Sequence, residues 1–247
     1  MQRRAISSKI KSKYIFFLLI IIVLFFGLYL SRLHKNSKEA LSSALNENEL
    51  LIDYTIDESL AYTLINTNGI DEYGDLFVVF ERNEDTWQRS YENDFKNLMP
   101  WKVELADIDG DNITEILIAL RKTTPYDKEI KNRMFVFNYQ DDILSRKWTG
   151  SRIAGIWREF YPMELLSTPG QELVFIEQAE DDKEKISIYS WFDFGFFMIA
   201  DSEAYPMIQN VTMKGENSLE ITYYEEEEEK SQILSIVEGK LLAKEDD

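Results

Sequence analysis

Apolar and polar positions alternate along this chain in two distinct ways. From Tyr14 to Leu30 the sequence reads YIFFLLIIIVLFFGLYL, seventeen residues without a charge. A helix rises about 1.5 Å per residue and needs roughly 20 apolar residues to cross a bilayer core. The run is at the short end of that range, with Tyr14, Tyr29, Lys13 and Arg32 placed to anchor it at the two interfaces. No small-x-small cleavage site follows Gly27, so the pattern predicts a transmembrane helix over 14–30 and not a removable signal peptide. Five Lys and Arg precede the run and three follow it closely (Arg32, Lys35, Lys38), which places the basic tail 1–13 in the cytoplasm and the remainder outside it.

Residues 31–48 are polar, with a weak helical pattern in Leu41 and Leu45, and read as a stalk. Beyond them, over 49–247, short runs of aromatic and β-branched residues recur between turn signals. DLFVVFER (75–82), WKVELADI (101–108), EILIALRK (115–122), RMFVFNYQ (133–140), ELVFIEQ (172–178), KISIYSWF (185–192), LEITYYEE (219–226) and SQILSIVE (231–238) all have strand length. They fall into units of similar layout, in which a strand and a turn lead to a Glu-headed apolar strand and two further strands. The units span about 50–99, 100–157, 158–204 and 205–247. Four short strands in about fifty residues is the pattern of propeller blades. The expected fold is therefore mainly β: a transmembrane helix followed by a small propeller-like domain of four four-stranded units. An open solenoid, or a sheet completed by a partner, fits the same pattern.

Charge adds a constraint. No acid occurs before Glu39, so the domain holds 45 acids against 19 Lys and Arg, a net charge of −26. Such a field repels nucleic acid and attracts cations. There is no Cys, and the one His, His34, lies in the stalk. Cys/His and Ser/His nucleophilic chemistry and His-based metal sites are thus excluded from the domain.

One segment carries candidate chemistry. In Asp107-Ile108-Asp109-Gly110-Asp111-Asn112-Ile113-Thr114-Glu115, carboxylates stand at positions 1, 3, 5 and 9. Calcium takes 6–8 hard oxygen ligands at about 2.3–2.6 Å, and alternate acids in a tight loop can be aimed at one point. Gly110 and Asn112 supply the backbone freedom of the turn. An EF-hand is excluded, because it needs Gly at position 6 and Glu at position 12, where this loop has Asn112 and Ile118.

Over WKVELADIDGDNITEILIAL the sequence resembles the FG-GAP (integrin-α-like, VCBS-type) repeat, in which an Asp-x-Asp-Gly-Asp loop joins two propeller strands. The resemblance implies one structural calcium ion held by Asp107, Asp109, Asp111, the Ile113 carbonyl and Glu115. The chain departs from that pattern at Asn112, where the family has Gly. The corresponding loops LLSTPGQE (165–172) and VTMKGENSLE (211–220) lack aspartates, so one site is expected.

The five Glu of 225–229 read as a solvated hairpin tip. Trp87, Trp101, Trp148, Trp157 and Trp191 read as packing between units, with a sugar-stacking platform as the alternative. Residues 191–197 (WFDFGFF) read as core. The expected role is a non-enzymatic binding or scaffold module, tethered to the membrane through 14–30, with a protein or glycan partner at the cell surface. The alternatives are a carboxylate-based surface hydrolase and an accessory subunit of a membrane or envelope complex.

Overall fold

The computed structural model describes residues 37–69, 72–84, 86–150 and 153–244. The predicted tail, the membrane span at 14–30 and the start of the stalk lie outside the described residues. Among the described residues no helix is long and apolar enough to cross a membrane.

The described chain is mainly β, with sixteen strands in four antiparallel meanders. The first comprises β1 (Leu50–Asp57), β2 (Leu60–Asn66), β3 (Leu76–Asn83) and β4 (Thr86–Asp94). The second comprises β5 (Pro100–Ala106), β6 (Glu115–Lys122), β7 (Lys131–Gln140) and β8 (Ile143–Trp148). The third comprises β9 (Trp157–Met163), β10 (Glu172–Gln178), β11 (Glu184–Phe192) and β12 (Gly195–Ser202). The fourth comprises β13 (Ile208–Gly215), β14 (Ser218–Glu225), β15 (Glu228–Val237) and β16 (Lys240–Ala243). Within each meander the sheet order follows the chain. The third and fourth meanders are joined edge to edge by a short parallel pairing of β12 and β16, Asp201 opposite Lys240 and Ser202 opposite Leu241. Together they form one eight-stranded sheet folded around its own apolar interior.

The second strand of each meander explains the stacking. Successive side chains of a strand point to opposite faces. In β6, Ile116, Ile118 and Leu120 pack towards the first sheet, and Leu117 and Ala119 pack towards the third. In β10, Leu173 and Phe175 face the second sheet, and Val174 and Ile176 face the fourth. Both strands are buried over six consecutive residues, as expected of strands covered on both faces. In β14 only Leu219 and Ile221 are buried, and the residues between them are not. The fourth sheet has one covered face, and the alternation of LEITY records it.

At the other end the stack is sealed differently. Residues 37–43 form a short helix, α1. Its Leu41 is fully buried against Leu51, Ala61, Ile65, Val78 and Phe80 of the first sheet. This half of the expected stalk packs on the domain instead of standing clear of it. The Asn46 backbone N–H then donates to the Glu49 carboxylate at 2.9 Å, and Glu49 pairs with Arg89 of β4 at 2.6 Å.

Polar ties link the first strands of successive sheets. Asp53 Oδ2 of β1 accepts the Val103 N–H of β5 at 2.8 Å. Lys102 of β5 donates to the Phe160 carbonyl of β9 at 2.8 Å and pairs with Glu159 at 2.6 Å. Arg158 of β9 donates to the Ile208 carbonyl of β13 and pairs with Glu184 at 2.5 Å.

Two outcomes follow. Leu41→Ala should destabilise the full chain in detergent micelles by about 2–5 kcal/mol, read by urea unfolding, whereas a helix that merely spaced the domain would leave it unchanged. Burial pushes the Asp53 carboxyl from 3.8 up to about 6, with the Val103 and Tyr54 amides pulling the other way. The stability tied to this group is therefore full below about 3.8 and is lost as pH rises through about 6. Asp53→Asn keeps an acceptor for Val103 and removes the buried charge. It should gain about 1–2 kcal/mol over the parent above pH 6, a gain that fades towards pH 4 in an unfolding series.

Candidate metal centre

The loop between β5 and β6 is shaped by its own acids. Asp107 Oδ1 accepts the Gly110 N–H at 2.7 Å and Oδ2 accepts that of Asn112 at 2.9 Å. Asp111 Oδ1 accepts the Ile113 N–H at 2.8 Å. Gly110 and Asn112 both have positive φ, 75° and 65°. Asn112 thus takes the left-handed conformation that its short side chain tolerates.

Glu115, the first residue of β6, is fully buried. Its Oε2 accepts the Ile108 N–H at 3.0 Å, and its Oε1 meets Asn138 Nδ2 at 3.2 Å. Asp107, Asp109 and Glu115 each bring a carboxylate oxygen within 4.8 Å of the others. That group could hold a metal ion. Asp111, engaged with Ile113, is not one of the three, and the Ile113 side chain is exposed.

The sequence reading missed Lys147. From β8 its Nζ reaches Asp109 Oδ2 at 2.5 Å and Glu115 Oε1 at 2.7 Å, and it lies 5.7 Å from the centre of the Trp191 ring. Burial works to lower the Lys147 pKa, but the bonds to Asp109 and Glu115 outweigh it and the proton is held more tightly than usual. Burial pushes the Glu115 carboxyl up, against the pull of Lys147 and the Ile108 amide. The donor set therefore fits a hard cation in oxygen type and spacing. An ammonium already lies against two of its three members.

The third meander contains an internal comparison. Glu172 stands at the start of β10 as Glu115 does at the start of β6, and it is equally buried. Its Oε2 accepts the N–H groups of Leu165 and Leu166 at 2.9 and 3.1 Å. The loop before it has no aspartates. A Glu leading the second strand thus clamps the preceding loop in both units, and only the second unit adds further acids and Lys147.

The two loops also nest. Gln171 N–H donates to the Asp107 carbonyl at 2.7 Å, and Asp107 N–H donates to Gln171 Oε1 at 3.1 Å. A Cβ on Gly110 would lie 2.3 Å from Pro169 Cβ, and one on Gly170 would lie 2.7 Å from the Ile108 carbonyl oxygen. Gly110 is needed for close approach as well as for its turn.

The other candidates fall as follows. Glu226 and Glu227 have positive φ and form the exposed turn between β14 and β15. Four tryptophans pack between the second and third sheets: Trp157 is buried there, and Trp101, Trp148 and Trp191 lie against the same cluster. Trp87 packs with the cluster under α1. Residues 191–197 divide between two environments. Trp191 and Phe196 pack edge to face at 5.0 Å, while Phe192, Phe194 and Phe197 are exposed, so only part of the stretch is core.

No protein-family profile and no curated protein matches this chain. Among solved structures, a candidate 6-phosphogluconolactonase of Bacteroides uniformis is similar over 79% of this chain, with a TM-score of 0.51 and 11% identity. The similarity covers 53% of that protein, so this chain spans about half its length. At that identity the likeness concerns the fold alone. A Xanthomonas protein related to type IV secretion matches 82% of this chain and 96% of its own, at TM-score 0.37 and 12% identity. A second candidate 6-phosphogluconolactonase, from Bacteroides fragilis, matches 77% of this chain and 67% of its own, at TM-score 0.38 and 12% identity.

Gly110→Ala should destabilise the chain by about 1–3 kcal/mol, since it combines a left-handed φ with overpacking against Pro169. Thermal melts of the full chain would read it, and an unchanged melt would mean that the two loops are not nested in solution.

Proposed function

We propose that this chain is a non-enzymatic binding or scaffold module, a small propeller-like domain tethered by residues 14–30 to the outer face of a membrane and stabilised by one calcium ion. The observation that carries the calcium reading is the convergence of Asp107, Asp109 and Glu115 where the second-unit loop nests on the third. Three carboxylates in one place, one of them fully buried, need a positive charge. Lys147 supplies it without metal. Calcium would supply it with metal once the flexible lysine swings out towards solvent. Asp111 and the Ile113 carbonyl, implied by the resemblance to FG-GAP repeats, would complete the shell. The ion's contribution would be to fix the loop, and outside the cell even a weak site could be filled.

The tethered, outward-facing arrangement is supported by the uncharged run and by the charge bias around it. The partner would be a protein or glycan at the cell surface. Nucleic acid is disfavoured by the domain's charge.

Lys147→Met separates the two sources of charge. Without calcium it should cost about 3 kcal/mol, because Asp109 and Glu115 lose their counter-charge. With calcium its melting temperature should recover, and calorimetry should show tighter calcium binding than in the parent. If neither protein binds calcium, and chelator leaves both melts unchanged, the lysine is the permanent counter-ion and the calcium claim fails.

A further inference from the structure

The end of the stack opposite the acidic loop holds a cavity of about 360 Å³ between the second and third sheets. β5 runs from one end to the other, with Trp101 at the cavity and Asp107 in the loop. The walls include Tyr73, Trp101 and Trp157 and the cations Arg121, Lys131 and Arg158. Three cations gather around this one hollow.

Two of those cations are committed. Lys131 is held by Asp127 and Glu129, and Arg158 by Glu184. Arg121 differs. It donates to the Tyr73 hydroxyl at 2.6 Å and lies 5.5 Å from the centre of that ring. Among the described residues no carboxylate stands within ion-pair distance of it. The indole N–H of Trp101, on the same wall, is buried without an acceptor. Ile130 and Ile156, both more than half exposed, line the same hollow.

We infer that this cavity is a binding site for a small ring-bearing carboxylate, with its charge on Arg121 and its ring against the aromatic wall. A guanidinium offers a planar fork suited to a carboxylate. Tyr73, Trp101 and Trp157 with the two isoleucines give the apolar lining that most small-molecule sites have, and the volume is near the lower end of the usual range of about 300–1,000 Å³. Glu72, exposed at the rim, disfavours a ligand with a second negative charge. A sugar acid and an aromatic acid share this chemistry.

The test is calorimetry on the full chain in detergent micelles, with empty micelles as the blank. The probes are glucuronate and benzoate, with glucose and benzyl alcohol as their neutral counterparts. At least one carboxylate should bind saturably while its neutral counterpart does not, and the responding one tells which ring the wall accepts. Arg121→Gln should weaken that binding at least tenfold, and Trp101→Phe by about threefold, with melts confirming that both variants fold. If Arg121→Gln fails to fold, the Trp101→Phe and Tyr73→Phe variants carry the same comparison. The inference is overturned if neither carboxylate binds, if the neutral compounds bind equally well, or if the folded variants bind as tightly as the parent.

Discussion

Sheets that are apolar on both faces cannot stand alone in water, and that constraint organises this molecule. Each of β2, β6 and β10 carries a near-continuous buried run. Exposing either face would forfeit about 25 cal/mol for every Å² of apolar surface left wet. The sheets therefore stack in chain order, and the three apolar interfaces between them are the core. The position of each loop follows from the stack. The acidic loop and its aspartate-free counterpart meet because β5–β6 and β9–β10 lie on neighbouring sheets, and the cavity beside Arg121 opens at the other end of the same junction.

A stack of this kind has two terminal faces, and each needs a solution. On the first sheet, α1 covers the outer face through Leu41. On the fourth, the outer face mixes the half-buried Glu220 and Thr222 with the exposed Tyr224, Ile233 and Leu242. Terminal units with a distinct outer face are what repeat architectures need for solubility. Among the described residues, none of the four apolar clusters spans the first and fourth sheets.

Much of this was legible in the sequence. The four units fall close to where turn signals and strand-length runs place them, because burial on both faces writes itself as continuous apolar residues and burial on one face as alternation. Asn112 was legible as a turn position whose side chain tolerates the left-handed conformation it adopts. Long-range relationships were not readable. Lys147 lies 32 residues beyond Glu115 in a strand whose local pattern, SRKW, says only that it is amphipathic. The approach of Gly110 to Pro169 and the gathering of Tyr73, Arg121 and Trp157 depend on the stacking itself. Around α1 a weak Leu41/Leu45 pattern was present, but only the first sheet's outer face gives it a meaning.

The docking of α1 sets a mechanical limit on the protein as a whole. With the anchor proposed at 14–30, only residues 31–36 separate the bilayer from a helix fixed to the domain. At about 3.3–3.6 Å per residue, that is a leash of roughly 20 Å fully extended. Such a module could not sweep the surroundings of its cell as a long-stalked one does. It would hover within about one domain's width of the lipid, its orientation restricted, and it would sample only molecules that are themselves at or in the membrane or have diffused up to it.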